Sequence, residues 1–130
     1  VKDVTILESA YNDSLGVTAE FILNAFCNIN YILGANFNLE LIDYYSRYNS
    51  QFQQMEMFGV SRMDQNIYLD HCGANFRWRR GERILVEISR KFEPDRLGQQ
   101  LGLFGFDRVV EFTDPQQWYS LLMFRRSPRN

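Results

Sequence analysis

An acidic side chain interrupts the apolar stretch ILVEIS at residues 84–89. In an extended segment side chains alternate, so Leu85, Glu87 and Ser89 are predicted to share one face and the other three residues the opposite face. An acid and a hydroxyl side by side on a mostly apolar element are typical of the polar floor of a ligand pocket. They are equally compatible with a salt-bridge partner at the rim of a sheet.

Two other side chains, Tyr11 and Met57, have chemistry that suits a ligand site. Tyr11 closes a predicted helix beside the polar loop NDSLG, where its hydroxyl could hold a ligand carboxylate or its ring could pack the helix junction. Met57 shares a predicted strand face with Met55. Thioethers fill gaps in protein cores well, so the strand alone favours a core position for both methionines.

The sequence gives weaker support for a metal site, a cysteine nucleophile or a nucleotide-binding loop. His71 is the single histidine, and its neighbours Asp70 and Cys72 are too close in sequence to converge on one ion, so a surface turn is predicted and no metal site. The same lack of partners argues against a nucleophile built on Cys27 or Cys72. The chain contains neither a G-x-G-x-x-G fingerprint nor a phosphate-binding G-x-x-x-x-G-K-[ST] loop.

The stretch FRWRRGER at residues 76–83 mixes basic and aromatic residues, as single-strand nucleic-acid platforms do. On a strand, however, Phe76 and Trp78 point one way and Arg77 and Arg79 the other. That alternation is typical of an ordinary strand with apolar side chains in the core and charges in solvent. We therefore expect no nucleic-acid partner.

Composition indicates one soluble globular domain in a chain of 130 residues, with 45% hydrophobic and 23% charged residues. A net charge of −2 argues against nucleic-acid or anionic-membrane partners. No stretch approaches the roughly 20 apolar residues that span a bilayer, and no leader suggests export. Cys27 and Cys72 lie in unrelated contexts, which favours a cytoplasmic protein with both thiols reduced.

Hydrophobic periodicity predicts an α+β fold with helices first and a mostly antiparallel sheet after them. Helices are expected at 3–11 with Asp3 as N-cap, at 18–33 ending at Gly34, at 39–48 after Asn38, and at 94–106. Strands are expected at 52–61, 65–70, 75–80, 81–89, 107–114 and 117–126. The predicted domain boundary lies near Lys91.

Four stretches together resemble one family: AYNDSLGVTAEF (10–21), MEMFGVSR (55–62), GERILVEISRKF (81–92) and TDPQQWYSLLMFRR (113–126). They are similar to the C-terminal part of the S-adenosylmethionine-dependent L-histidine Nα-methyltransferases, which trimethylate histidine on the route to ergothioneine. The likeness runs over nearly all of the chain, with the stretches in the same order and at similar spacing.

The resemblance implies roles for four residues in binding the substrate histidine. Tyr11 matches the tyrosine that hydrogen-bonds the substrate carboxylate, and Met57 matches the methionine that lines the imidazole pocket. Glu87 and Ser89 match the pair that contacts the imidazole ring. The implied reaction is attack of the α-amino nitrogen on the sulfonium methyl group, and no residue of this chain is assigned as a catalytic base.

The resemblance also implies a division of the chain. Residues 1–90 would form an α+β substrate-recognition domain, and residues 91–130 the last helix and antiparallel strand pair of a Rossmann-type methyltransferase sheet. The S-adenosylmethionine loop would lie upstream of Val1, since the chain begins without Met and looks like a piece of a longer protein. By itself the chain is expected neither to bind the cofactor nor to turn over.

Three further expectations complete the sequence analysis. The strands at 107–126, without parallel neighbours, are predicted to self-associate or to pack closely on the substrate domain. A non-catalytic amino-acid-binding or protein-interaction module remains an alternative to an enzyme. In a third interpretation the chain is a globular fragment in which Glu87 merely pairs with a nearby arginine.

Overall fold

The computed structural model describes residues 3–128 and divides them into two units, residues 3–90 and residues 91–128. The helices are α1 (Val4–Tyr11), α2 (Val17–Leu33) and α3 (Pro94–Gly102). The strands are β1 (Ile42–Asn49), β2 (Gln54–Ser61), β3 (Gln65–Leu69), β4 (Ala74–Trp78), β5 (Arg83–Arg90), β6 (Phe106–Thr113) and β7 (Ser120–Arg126). All named strand pairs are antiparallel, which confirms the predicted α+β class.

Capping residues mark the start of α1 and the end of α2. The Asp3 side chain accepts a hydrogen bond from the Thr5 backbone N–H at 2.8 Å, which confirms Asp3 as the cap of α1. Gly34 ends α2 in the left-handed conformation, with a φ of 60° that residues with a side chain rarely adopt. Both ends were predicted from residue type alone.

The start of α2 depends on an acid in the preceding loop. The carboxylate of Asp13 accepts hydrogen bonds from the backbone N–H groups of Val17 at 2.9 Å and Thr18 at 3.0 Å. These bonds favour the charged carboxylate and lower the pKa of Asp13. Asp13 thereby ties the polar loop after α1 to the first turn of α2.

The predicted helix at 39–48 is wrong. Only Leu39–Leu41 forms a single 3₁₀ turn, which Asn38 caps by accepting a hydrogen bond from the Glu40 N–H at 3.1 Å. The rest of the segment is β1, in which Ile42 and Ser46 are buried. Its aromatic residues suit a strand, and pairing with β2 along the full length outweighs the weak helical spacing.

The sheet of the first unit has the strand order β1–β2–β5. Directly opposed residues of an antiparallel pair point to the same side, so the pairing defines two faces. The inner face, which packs against α1 and α2, carries Ile42, Tyr44, Ser46, Tyr48, Met55, Met57, Gly59, Ile84, Val86, Glu87 and Ser89. The outer face carries Tyr45, Arg47, Gln54, Glu56, Phe58, Arg83, Leu85, Ile88 and Arg90.

A β-bulge at Val86 corrects the predicted alternation of β5. Leu85 lies opposite Phe58 and Glu87 lies opposite the next residue, Met57, so Val86 is the extra residue between them. Leu85 therefore faces outward with Ile88, whereas Val86 packs into the core. Glu87 shares a face with Ser89 as predicted, but not with Leu85.

The core under the inner face consists of two clusters. In the first, Phe26 of α2 stacks on Trp78 at 5.6 Å between ring centroids and meets Phe37 edge-on at 5.1 Å. This cluster joins α2 to the β3–β4 hairpin, since Trp78 closes β4. The second cluster contains Leu7 of α1, Ile22 of α2 and the two methionines Met55 and Met57.

An acid is buried on the outer face by a cluster of donors. Glu56 is 6% exposed and accepts hydrogen bonds from Arg47 Nε at 2.9 Å, Asn49 Nδ2 at 2.7 Å and Gln54 Nε2 at 3.0 Å. The hydrogen bond from Gln54, followed by those from Asn49 and Arg47, lowers the pKa of Glu56 against the opposing effect of burial. The carboxylate is thus satisfied within the sheet itself.

The second unit consists of α3 and the β6–β7 hairpin. Pro94 opens α3, as predicted, and Asp114 organises the turn between the strands. The carboxylate of Asp114 accepts backbone N–H bonds from Gln116 at 3.1 Å, Trp118 at 2.7 Å and Tyr119 at 2.8 Å, which lower its pKa. That this unit ends a Rossmann-type sheet stays a prediction.

Within residues 3–128, no helix is both long enough and apolar enough to cross a membrane.

We predict that Gly59→Ala destabilises the protein. A Cβ at Gly59 would collide with the Phe26 ring and lie 3.2 Å from Ile42 Cγ2. Phe26 cannot retreat because Phe37 and Trp78 hold its ring, so the overpacking should lower the free energy of unfolding by about 1–3 kcal/mol. Urea denaturation of both proteins measures the difference.

The matched control is Gly102→Ala, because a Cβ at Gly102 meets nothing within 4 Å and the residue lies in α3. Alanine is the better helix former there, so this variant should be at least as stable as the parent. Equal stabilities for Gly59→Ala and Gly102→Ala would contradict the packing described for Phe26.

Candidate functional site

Three of the four predicted site residues lie on neighbouring positions of the inner face. Met57 of β2 is directly opposite Glu87 of β5, and Met55 is directly opposite Ser89. The bulge at Val86 creates this arrangement. Without the bulge, Glu87 would lie opposite Glu56 on the outer face. Two acidic side chains directly opposite each other repel, so that pairing would be unfavourable.

Tyr11 joins this group from α1. It is the last residue of the helix, and its hydroxyl donates a hydrogen bond to Ser89 Oγ at 2.7 Å. The helix is anchored by Leu7, which is 5% exposed in the core cluster that contains Met57. The Tyr11 ring also packs on that cluster. The structure therefore brings all four predicted residues together.

The four predicted site residues differ in how far they are exposed to solvent. Met57 is 2% exposed, so the core position favoured by the strand pattern is what the structure shows. Glu87 is exposed, and Tyr11 and Ser89 are half-buried. Glu87 therefore lies at the edge of the sheet and not on the floor of a pocket, because β5 is an edge strand among the residues that the structure describes.

Glu87 has no Arg or Lys partner in the part of the chain that the structure describes. The interpretation in which this carboxylate merely pairs with a nearby arginine therefore finds no support among residues 3–128.

Tyr44 also belongs to the group, although the sequence analysis missed it. Its hydroxyl donates a hydrogen bond to the Tyr11 backbone carbonyl at 2.7 Å. Partial burial is the main cause that raises the pKa of Tyr44, with further contributions from the charges of Asp13, Tyr11 and Glu87, while the Ser46 hydroxyl acts in the opposite direction. No local sequence signal identifies Tyr44, because its role depends on Ile42–Asn49 forming a strand beneath the end of α1.

The other chemically interesting residues lie elsewhere. His71 sits in an exposed 3₁₀ turn, with Nδ1 2.9 Å from the Ile32 carbonyl oxygen. Cys27 and Cys72 are free and exposed. Among the described residues no group of three or more His, Cys, Asp or Glu side chains is arranged to hold a metal ion.

The basic stretch follows the predicted alternation only in part, because Phe76 is 39% exposed and β4 ends at Trp78, before Arg79. Trp78 is 2% exposed in the core, and Arg77 forms an ion pair with Asp64 at 2.6 Å. Arg79 interacts with Glu82 at 3.5 Å. Each of these two arginines therefore has an acidic partner.

The arrangement can bind and orient a small polar ligand. A carboxylate accepts hydrogen bonds, and the hydroxyls of Tyr11 and Ser89 both donate and accept. Such a group suits a ligand that carries an N–H donor at one end and an anionic group at the other, beside an apolar wall at Met57. It offers hydrogen-bonding groups and an apolar wall.

Comparison with known proteins identifies the family of the chain. Residues 1–126 match the model of the family described as "Histidine-specific methyltransferase, SAM-dependent". The chain belongs to this family. Histidine N-alpha-methyltransferase of Mycolicibacterium smegmatis is 32% identical over 115 residues, and that of Mycobacterium tuberculosis is 33% identical over 114 residues.

Each alignment covers 88% of this chain and 36% of the relative. The chain therefore spans about a third of the length of the curated methyltransferases that it matches. The family membership confirms the resemblance drawn from the four sequence motifs. It leaves the roles of Tyr11, Met57, Glu87 and Ser89 as predictions.

We predict measurable coupling between Tyr11 and Ser89. Removing both hydroxyls, in Tyr11→Phe combined with Ser89→Ala, should cost less stability than the sum of the single changes, since either change alone breaks the same hydrogen bond. The coupling energy from a double-mutant cycle should be about 0.5–1.5 kcal/mol, measured by denaturation.

Tyr31 offers a control, because it is 86% exposed on α2. A cycle of Tyr31→Phe with Ser89→Ala should show additive effects. Additivity in the Tyr11 cycle as well would mean that the hydrogen bond contributes nothing to holding α1 on the sheet.

Proposed function

We propose that this chain is the substrate-recognition and C-terminal portion of a histidine Nα-methyltransferase that converts histidine to trimethylhistidine on the route to ergothioneine. The observation that carries the proposal is the convergence of Tyr11, Met57, Glu87 and Ser89 on one face in a chain of this family. A cytoplasmic location is part of the proposal.

The proposed contacts follow from the chemistry of histidine. Glu87 accepts a hydrogen bond from an imidazole N–H, and an ionised acceptor makes that bond one of the stronger kind. Ser89, two residues along the same strand, contacts the ring beside Glu87. Met57 forms the apolar wall against which the imidazole packs.

Tyr11 is proposed to hold the substrate carboxylate. Its hydroxyl now donates to Ser89, and rotation of the Ser89 hydroxyl would allow Ser89 to donate to Tyr11 instead. The phenol proton would then be available to the carboxylate. Contacts at both ends of histidine fix the position of its α-amino nitrogen, and such positioning is a large part of catalysis in a transfer reaction.

The proposal does not place S-adenosylmethionine on residues 3–128. A nucleotide-type cradle needs a glycine-rich turn between a strand and a helix, whereas β5 leads into α3 through residues 91–93, which include no glycine. We therefore assign the cofactor to the remainder of the parent protein, where it would supply the methyl group. The residues described above bind and orient the acceptor.

The decisive prediction concerns Glu87 in the full-length protein. Glu87→Gln keeps the shape of the side chain and removes its charge, so histidine affinity should fall about 10- to 100-fold. Calorimetric titration with histidine measures the affinity, and transfer of a labelled methyl group from S-adenosylmethionine to histidine reports the reaction.

Glu40→Gln is the matched control, since Glu40 is an exposed acid in the 3₁₀ turn before β1. It should leave histidine affinity unchanged. Histidine binding that survives Glu87→Gln at full strength would remove Glu87 from the site. A full-length protein that neither binds nor methylates histidine would favour a non-catalytic binding module.

We further propose that this chain self-associates through residues 107–126. Helix α3 lies over one face of the hairpin, where Arg108 pairs with Asp95 at 3.0 Å. The opposite face carries Phe112, Leu121 and Met123, which are 53–55% exposed. A second copy of the hairpin can cover these apolar side chains.

Sedimentation of the isolated chain over a range of concentrations tests the self-association. Leu121→Lys places a charge in the apolar face and should shift the chain toward monomers. Leu103→Lys is the control, because Leu103 is 85% exposed outside the strands. Concentration-independent monomers of the unchanged chain would refute the proposal.

A further inference from the structure

Two hydrogen bonds in series connect three elements of the first unit. The Tyr44 hydroxyl on β1 donates to the backbone carbonyl of Tyr11 at 2.7 Å, and the Tyr11 hydroxyl donates to Ser89 Oγ on β5 at 2.7 Å. The first bond holds the backbone of Tyr11 and the second holds its phenol. Residues on both edge strands therefore determine where the Tyr11 side chain lies.

The first bond meets a need of the helix end. The last carbonyl groups of an α-helix have no partner within the helix, and Tyr11 is the last residue of α1. After Tyr11 the chain enters the loop that leads to Asp13 and α2. The Tyr44 hydroxyl supplies the missing donor from the inner face of the sheet.

Other tethers hold α1 farther from the site. Glu8 Oε1 accepts a hydrogen bond from the Tyr48 backbone N–H at 3.1 Å, and Leu7 is buried in the core. These contacts fix the middle of the helix on β1. The bond from Tyr44 is made at Tyr11 itself, so its loss should disturb the direction of the phenol more than the docking of the helix.

We infer that Tyr44 is a positioning residue for substrate binding, which aims the Tyr11 phenol by holding the carbonyl at the end of α1. The inference rests on the proposed function, because it assigns Tyr44 an effect on histidine only through Tyr11. Tyr44 itself need not touch the substrate. Its hydroxyl acts as a donor and must keep its proton; partial burial, and then the charges of Asp13, Tyr11 and Glu87, favour this by raising the pKa of Tyr44.

The test compares Tyr44→Phe in two backgrounds of the full-length protein. In the otherwise unchanged protein, Tyr44→Phe should weaken histidine binding about 3- to 10-fold, the equivalent of one hydrogen bond. In the Tyr11→Phe background the phenol hydroxyl is already absent, so Tyr44→Phe should have no further effect on histidine affinity. Its effect on thermal stability should persist in both backgrounds, because the Tyr11 carbonyl remains.

Tyr48→Phe is the matched control, since Tyr48 lies on the same face of β1 and packs on the core cluster. It should leave histidine affinity unchanged. Equal losses of affinity from Tyr44→Phe in both backgrounds would show a general structural role and overturn the inference. Affinity unchanged by Tyr44→Phe but reduced by Tyr11→Phe would overturn it as well, and would leave the proposed function standing.

Different binding results are expected if the proposed function itself is wrong. If the unchanged full-length protein does not bind histidine, both the proposed function and the inferred role of Tyr44 are wrong. If it binds histidine and Tyr11→Phe binds equally well, Tyr11 holds no part of the substrate. Tyr44 then has nothing to position, and the inference fails while histidine recognition by Glu87 remains open to its own test.

Discussion

The candidate site depends on the pairing between β2 and β5. That pairing contains one extra residue, Val86, and the extra residue turns Glu87 toward Met57 and the helices. Without the bulge the acid would lie beside Glu56 on the opposite face. Bulges often occur next to active sites because they redirect a side chain at little cost to the rest of the strand.

A second requirement is that α1 ends above this part of the sheet. Leu7 anchors the helix in the core, and Tyr11 reaches Ser89 from its last position. The loop that follows is ordered by Asp13, whose carboxylate begins α2. The site is therefore built from side chains on regular elements, and its geometry follows from the packing of those elements.

Much of this could be predicted from the sequence where the signal was local. Asp3, Asn38 and Gly34 mark ends of helical segments through their own backbone and side-chain chemistry, and the structure confirms all three. The segment at 39–48 was misassigned because its aromatic residues fit two periods. Its identity as a strand is decided by eight residue pairs with the next strand, β2, which the spacing within the segment does not reveal.

The two features most important for the site were not predictable. A bulge is a property of two paired strands, so nothing in ILVEIS by itself distinguishes Val86 from a regular position. Tyr44 was missed for a related reason, since its role requires β1 to be a strand and α1 to end over it. The roles predicted for Tyr11, Met57, Glu87 and Ser89 come from the family resemblance and not from geometry.

Glu56 has a consequence for folding that extends to the site. It is almost completely buried, and its hydrogen-bond donors stand at fixed places on β1 and β2. A slip of the pairing by one residue would turn every side chain of the strand to the other face and leave this ionised acid among Leu7, Ile22 and the aromatic rings. A buried charge without partners costs several kcal/mol, so a misaligned sheet would be less stable than the observed one. Burial of Glu56 among its donors thus favours the strand alignment that brings the candidate site residues together.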